Sequence, residues 1–114
     1  REQIGMRLEC ATSIESADAT EADIRNAMAD DRGRGEFIIL SETDQSYIQA
    51  SGIGDGPYDL EYREGGADRH FRCSRNVTKA EVEDALLQYL GGDDTWKSRF
   101  PWMPLQKRPW WKLW

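Results

Sequence analysis

The chain has 114 residues, 39% hydrophobic and 32% charged, with a formal net charge of −6. That is the length of one domain able to bury a core, and no apolar run approaches the ~18 residues a membrane span needs. The acid excess argues against nucleic acid as the main partner, because phosphate binding needs a basic face; it favours a cationic protein surface.

In chain order, residues 4–11 (IGMRLECA) alternate, with Ile4, Met6, Leu8 and Cys10 on one side, as in a half-buried strand. Residues 12–19 are small and polar and read as a loop. Thr20 followed three residues later by Asp23 can cap a helix start, and Ile24, Ala27 and Met28 give it an apolar stripe. Gly33 and Gly35 end it, and Asp30 and Asp31 oppose the dipole, so the helix is expected to be short.

Residues 36–40 (EFIIL) form a continuous apolar run, the pattern of a strand buried on both faces or lying mid-sheet. With 46–51 (SYIQAS) it makes a hairpin, followed by the loop 52–57 (GIGDGP). In 58–74, Tyr58, Leu60 and Tyr62 alternate with Asp59, Glu61 and Arg63 before Gly65-Gly66. A two-residue primed turn at the glycines predicts a hairpin that sets Leu60 opposite Phe71 and Tyr58 opposite Cys73. The other face then pairs Asp59 with Arg72, Glu61 with His70, and Arg63 with Asp68, a charge ladder complete when His70 is protonated.

Thr78 and Glu81 form a capping box, and Val82, Ala85, Leu86, Tyr89 and Leu90 follow at helical spacing up to Gly91-Gly92. Beyond Asp94 the chain holds no acid. Residues 95–114 carry Lys97, Arg99, Lys107, Arg108 and Lys112 together with all five tryptophans, Trp96, Trp102, Trp110, Trp111 and Trp114. Pro101, Pro104 and Pro109 prevent a long helix there. Residues 1–94 carry the remaining 10 basic and all 21 acidic residues, net −11.

The expected fold is α+β, a two-layer sandwich with element order β-α-β-β-β-β-α. It has one mainly antiparallel sheet, two helices on one face and an irregular Trp-rich tail. Residues 1–102 form the domain and 103–114 the basic tail. Trp96, Phe100 and Trp102 are expected to close the core. The rest of the tail packs on its own domain or on another chain.

Chemistry is thin. A Ser-His-Asp or Cys-His arrangement would have to use His70, the single histidine, yet on a strand Cys73 points to the opposite face. Asp59 and Glu61 lie about 7 Å apart on one strand face, but the basic residues opposite make an ion-pair lattice of them rather than a glycosidase pair. The glycines at 52–56 lead into Pro57 and a strand, not into the helix of a phosphate loop. No acidic group has metal-ligand spacing, so neither metal nor cofactor is expected. Cys10 and Cys73 lack CxxC spacing and read as buried, reduced thiols in a cytoplasmic protein.

The segments 37–40 (FIIL), 47–49 (YIQ), 60–65 (LEYREG), 69–72 (RHFR), 89–93 (YLGGD) and Trp96 together resemble a group of small bacterial proteins. These share a FxIL, YIQ, LEYxEG, RHF, YLxGDxxW layout, here over residues 36–102. The resemblance implies an immunity or antitoxin-like role, a non-enzymatic protein that neutralises a cognate toxin by occlusion. Asp59, Glu61, His70 and Arg72 are the candidate recognition residues, with Trp110, Trp111 and Trp114 as aromatic anchors. The partner would be a basic toxin domain, not nucleic acid, and a membrane is not expected. The alternative is a small scaffold or ligand-binding domain that dimerises through its Trp-rich tail.

Overall fold

The computed structural model describes residues 5–12 and 15–105, so Trp110, Trp111 and Trp114 lie outside the described residues. Alternation of buried and open side chains forms β1 (Arg7–Cys10), in which Leu8 and Cys10 are buried. The stretch expected to be a loop holds a two-residue strand, β2 (Glu15–Ser16), paired antiparallel with β1. Then comes α1 (Glu21–Ala29), capped by the Thr20–Asp23 box, with Ile24, Ala27 and Met28 buried as expected. It stops at Asp30 rather than at the glycines, and a separate turn of helix, α2 (Asp31–Arg34), ends at Gly35, whose φ is +79°.

Strands β3 (Phe37–Thr43), β4 (Ser46–Ser51), β5 (Asp59–Glu64) and β6 (His70–Cys73) follow. The last third of the chain holds α3 (Lys79–Gly91), α4 (Thr95–Arg99) and β7 (Trp102–Pro104). Helix α3 has the expected Thr78–Glu81 capping box and ends at Gly92, whose φ is +75°. The fold is α+β; among the described residues there are seven antiparallel strands in the order β2-β1-β3-β4-β5-β6-β7 and four helices. The tail is therefore not irregular throughout: α4 and β7 are regular, and β7 crosses the boundary expected at residue 102.

One hydrophobic cluster joins Leu8, Ile38, Leu40, Ile48, Leu60 and Tyr62 of the sheet to Ile24 and Met28 of α1, Val82 and Leu86 of α3, and Trp96 of α4. Trp96 and Phe100 are 1% and 5% exposed, so they close the core as expected, and Trp102 packs against it half-buried. The ring of Tyr62 is the hub. It lies 4.8 Å from Trp96, 4.7 Å from Trp102 and 5.0 Å from Phe71, each an aromatic contact of about 0.5–1.5 kcal/mol beyond area burial.

Arg34 is a fully buried arginine that has no carboxylate partner among the described residues. Its Nη1 donates to the carbonyls of Gly35 and Gly52 (2.9 and 3.1 Å), and its Nη2 to the Tyr58 hydroxyl (2.6 Å), which in turn donates to the Gly54 carbonyl (2.6 Å). A Cβ on Gly52 would lie 2.5 Å from the Tyr58 ring. Gly52 and Gly56 thus make room for the Tyr58 ring. Cys10 and Cys73 are free and buried, with three strands between their own, and burial pushes the Cys10 thiol up. No helix among the described residues is long and apolar enough to cross a membrane.

Candidate protein-binding face

The 58–74 hairpin forms in a different register from the expected one. Glu61 faces Arg72, Tyr62 faces Phe71 and Arg63 faces His70, while Tyr58 bridges to Val77 instead of pairing with Cys73. The cause lies at the glycines. Gly65 has φ +92°, but Gly66 is extended (φ 179°), so a primed two-residue turn is not made; a 3-10 turn at Ala67–Arg69 lengthens the connection. The slip is of two residues, so every side chain keeps its face. His70 and Cys73 remain on opposite faces.

The expected ladder therefore forms with altered geometry. His70 Nε2 and Glu61 Oε1 are 2.8 Å apart, and Arg72 Nη2 lies 3.3 Å from Asp59 Oδ1, both diagonal contacts. Arg63 does not reach Asp68. Its Nε donates to His70 Nδ1 (3.1 Å) and its Nη1 to Gln45 Oε1 (2.9 Å), with its guanidinium 5.7 Å from the Tyr47 ring centre. A guanidinium can only donate, so in this arrangement Nδ1 accepts and Nε2 carries the proton given to Glu61.

Asp59, Glu61, His70 and Arg72 are thus brought together on one sheet face. The same face continues across the whole sheet. One register row runs Glu15, Glu9, Ile39, Gln49, Glu61, Arg72, Met103 over all seven strands, and the next runs Arg7, Ser41, Tyr47, Arg63, His70. None of these residues belongs to the buried core cluster. At one side Arg7 lies within 3.7 Å of Glu9 and 3.5 Å of Glu15. At the other side sits the Asp59, Glu61, Arg63, His70, Arg72 lattice. Between them β3 and β4 present Phe37, Ile39, Ser41, Tyr47, Gln49 and Ser51, all half-buried and uncharged.

Phe37, Ile39, Tyr47 and Gln49 are the residues that sequence reasoning missed. The run 37–40 hid the first two, because four apolar residues in a row show no alternation; only the structure separates buried Ile38 and Leu40 from half-open Phe37 and Ile39. The charged candidates, by contrast, are already paired within the chain.

Around the end of the sheet, Arg63 also lines a cleft of about 570 Å³. Its walls include Asp18, Glu42, Glu64, Tyr89, Trp96 and Lys97. Lys97 Nζ bonds Glu64 Oε1 and sits 5.6 Å from the Trp96 ring centre, and the bond to Glu64 raises the Lys97 pKa. Burial pushes the Tyr89 hydroxyl well above the usual tyrosine range, with the Glu42 and Glu64 carboxylates adding to it. Among the described residues no group of three or more His, Cys, Asp or Glu side chains is placed to hold a metal ion. No protein-family model, curated protein or solved structure matches the chain significantly.

Proposed function

We propose that this chain is a non-enzymatic protein-binding domain of the immunity or antitoxin type, which occludes a cognate toxin in the bacterial cytoplasm. In this reading the fold is a two-layer sandwich with the helices on one side of the sheet, leaving the other side for a partner. The observation that carries it is the uncharged strip of Phe37, Ile39, Tyr47 and Gln49 between two sets of internally paired charges. Interfaces are built this way, with an aromatic, charge-poor centre inside a polar rim. The resemblance over residues 36–102 supplies the toxin as the partner class.

The test is co-expression with the product of the neighbouring gene. A complex that co-purifies and silences the toxin supports the proposal; the absence of any complex overturns it.

A further inference from the structure

The cleft at the end of the sheet already holds one ammonium. Lys97 sits against the face of Trp96, bonded to Glu64 and 4.0 Å from Asp94. Carboxylate plus aromatic face is the chemistry that binds a cation. The other lining acids are Asp18 and Glu42, and among the described residues their carboxylates have no hydrogen-bond or ion-pair partner. Tyr89 offers a further ring in the same wall. Trp96 is 1% exposed, and its indole Nε1 is buried without an acceptor. The cleft volume of about 570 Å³ falls in the range of small-ligand sites, roughly 300–1,000 Å³.

We infer that the part of the cleft lined by Asp18, Glu42 and Tyr89 takes a second cation, the arginine or lysine side chain of a peptide. Its walls carry two unmatched negative charges and an aromatic ring. Arg63 belongs both to this cleft and to the outer sheet face, so the two surfaces are contiguous. The inference rests on the protein-binding reading for its biological source: a partner docked on the strip would place a basic residue here. It also accounts for why the partner should be basic, since the charges on the strip's rim are spent on one another.

The probe is Nα-acetyl-arginine amide, titrated into the full 114-residue chain and followed by NMR at the Trp96 indole N–H, with the neutral citrulline amide as control. The expected result is a saturable shift with the arginine amide alone, at millimolar affinity and weakened by salt. The Asp18→Asn, Glu42→Gln double variant, checked for an unchanged melting temperature, weakens it about tenfold. Equal shifts with citrulline amide, no saturation, or a response unchanged in the double variant overturns the inference. Arginine-amide binding without any protein complex would retain the cleft and reject the immunity reading.

Discussion

His70 and Glu61 are joined across the β5–β6 pair by a 2.8 Å hydrogen bond while Arg63 holds the opposite ring nitrogen. The three side chains satisfy one another, so the charges of this lattice contribute geometry and a polar rim rather than unspent attraction. Single substitutions in it are expected to be mild for stability. Glu61→Gln keeps the acceptor and costs at most about 1 kcal/mol in urea denaturation, the usual ceiling for a partly exposed pair.

The Arg34–Tyr58 pair is a different case, because both groups are buried. Arg34→Met leaves the Gly52 carbonyl and the Tyr58 hydroxyl without their donor and is expected to cost about 2–4 kcal/mol. Tyr58→Phe is expected to cost about 1–2 kcal/mol. The two losses overlap, so a double-mutant cycle by chemical denaturation should give a total below their sum. Strict additivity would show that the bond carries no coupling.

Glu81 closes the N-terminus of α3 and bonds Arg75 through both carboxylate oxygens, at 3.2 and 3.0 Å. The Arg75 bond and the Thr78 backbone N–H hold its carboxyl down to about 2, from an ordinary 4.5. A depressed folded-state value stabilises above the unfolded value and is lost as pH falls through the folded one. The contribution is therefore whole above about pH 4.5 and gone below about pH 2. Denaturation curves should lose less stability across that window in Glu81→Gln than in wild type. Thr78→Ala, which removes the other half of the box, is expected to cost about 1 kcal/mol at neutral pH.

Much of this was legible in the residues, for physical reasons that also mark where legibility stopped. Both capping boxes were readable because each is a local arrangement spanning four residues. The facing of 58–64 was readable because side chains alternate, but a two-residue register slip preserves that alternation and so left no trace. The edge strands β2 and β7 are two and three residues long, and backbone pairing with a neighbour defines them, not a side-chain pattern. The burial of Arg34 depends on the Gly52 carbonyl and the Tyr58 hydroxyl, each far along the chain, and a charged residue in a polar stretch gives no sign of it. The uncharged strip on the outer face went unread because Phe37 and Ile39 are apolar like the core residues beside them.

Aromatic closure of the core gives a direct length test. The Trp96 and Trp102 rings meet Tyr62, so a chain ending at Leu105 keeps that closure and should melt cooperatively. Ending at Phe100 removes β7 and should lower the midpoint by roughly 10 °C or more, as expected for about 2–3 kcal/mol in a domain of this size. If the tail were an assembly device, light scattering would show the full chain as a dimer and the chain ending at Leu105 as a monomer.

In the proposed function the strip on the outer sheet face is the centre of a protein interface. The most direct measurement is calorimetric titration of the neighbouring gene's product into wild type, Tyr47→Ala and Ile39→Arg, each variant first shown to melt as wild type does. Wild type is expected to form a one-to-one complex, and each variant to lose at least about 2 kcal/mol of binding, the mark of an interface hot spot. Binding to both variants at wild-type affinity would contradict it.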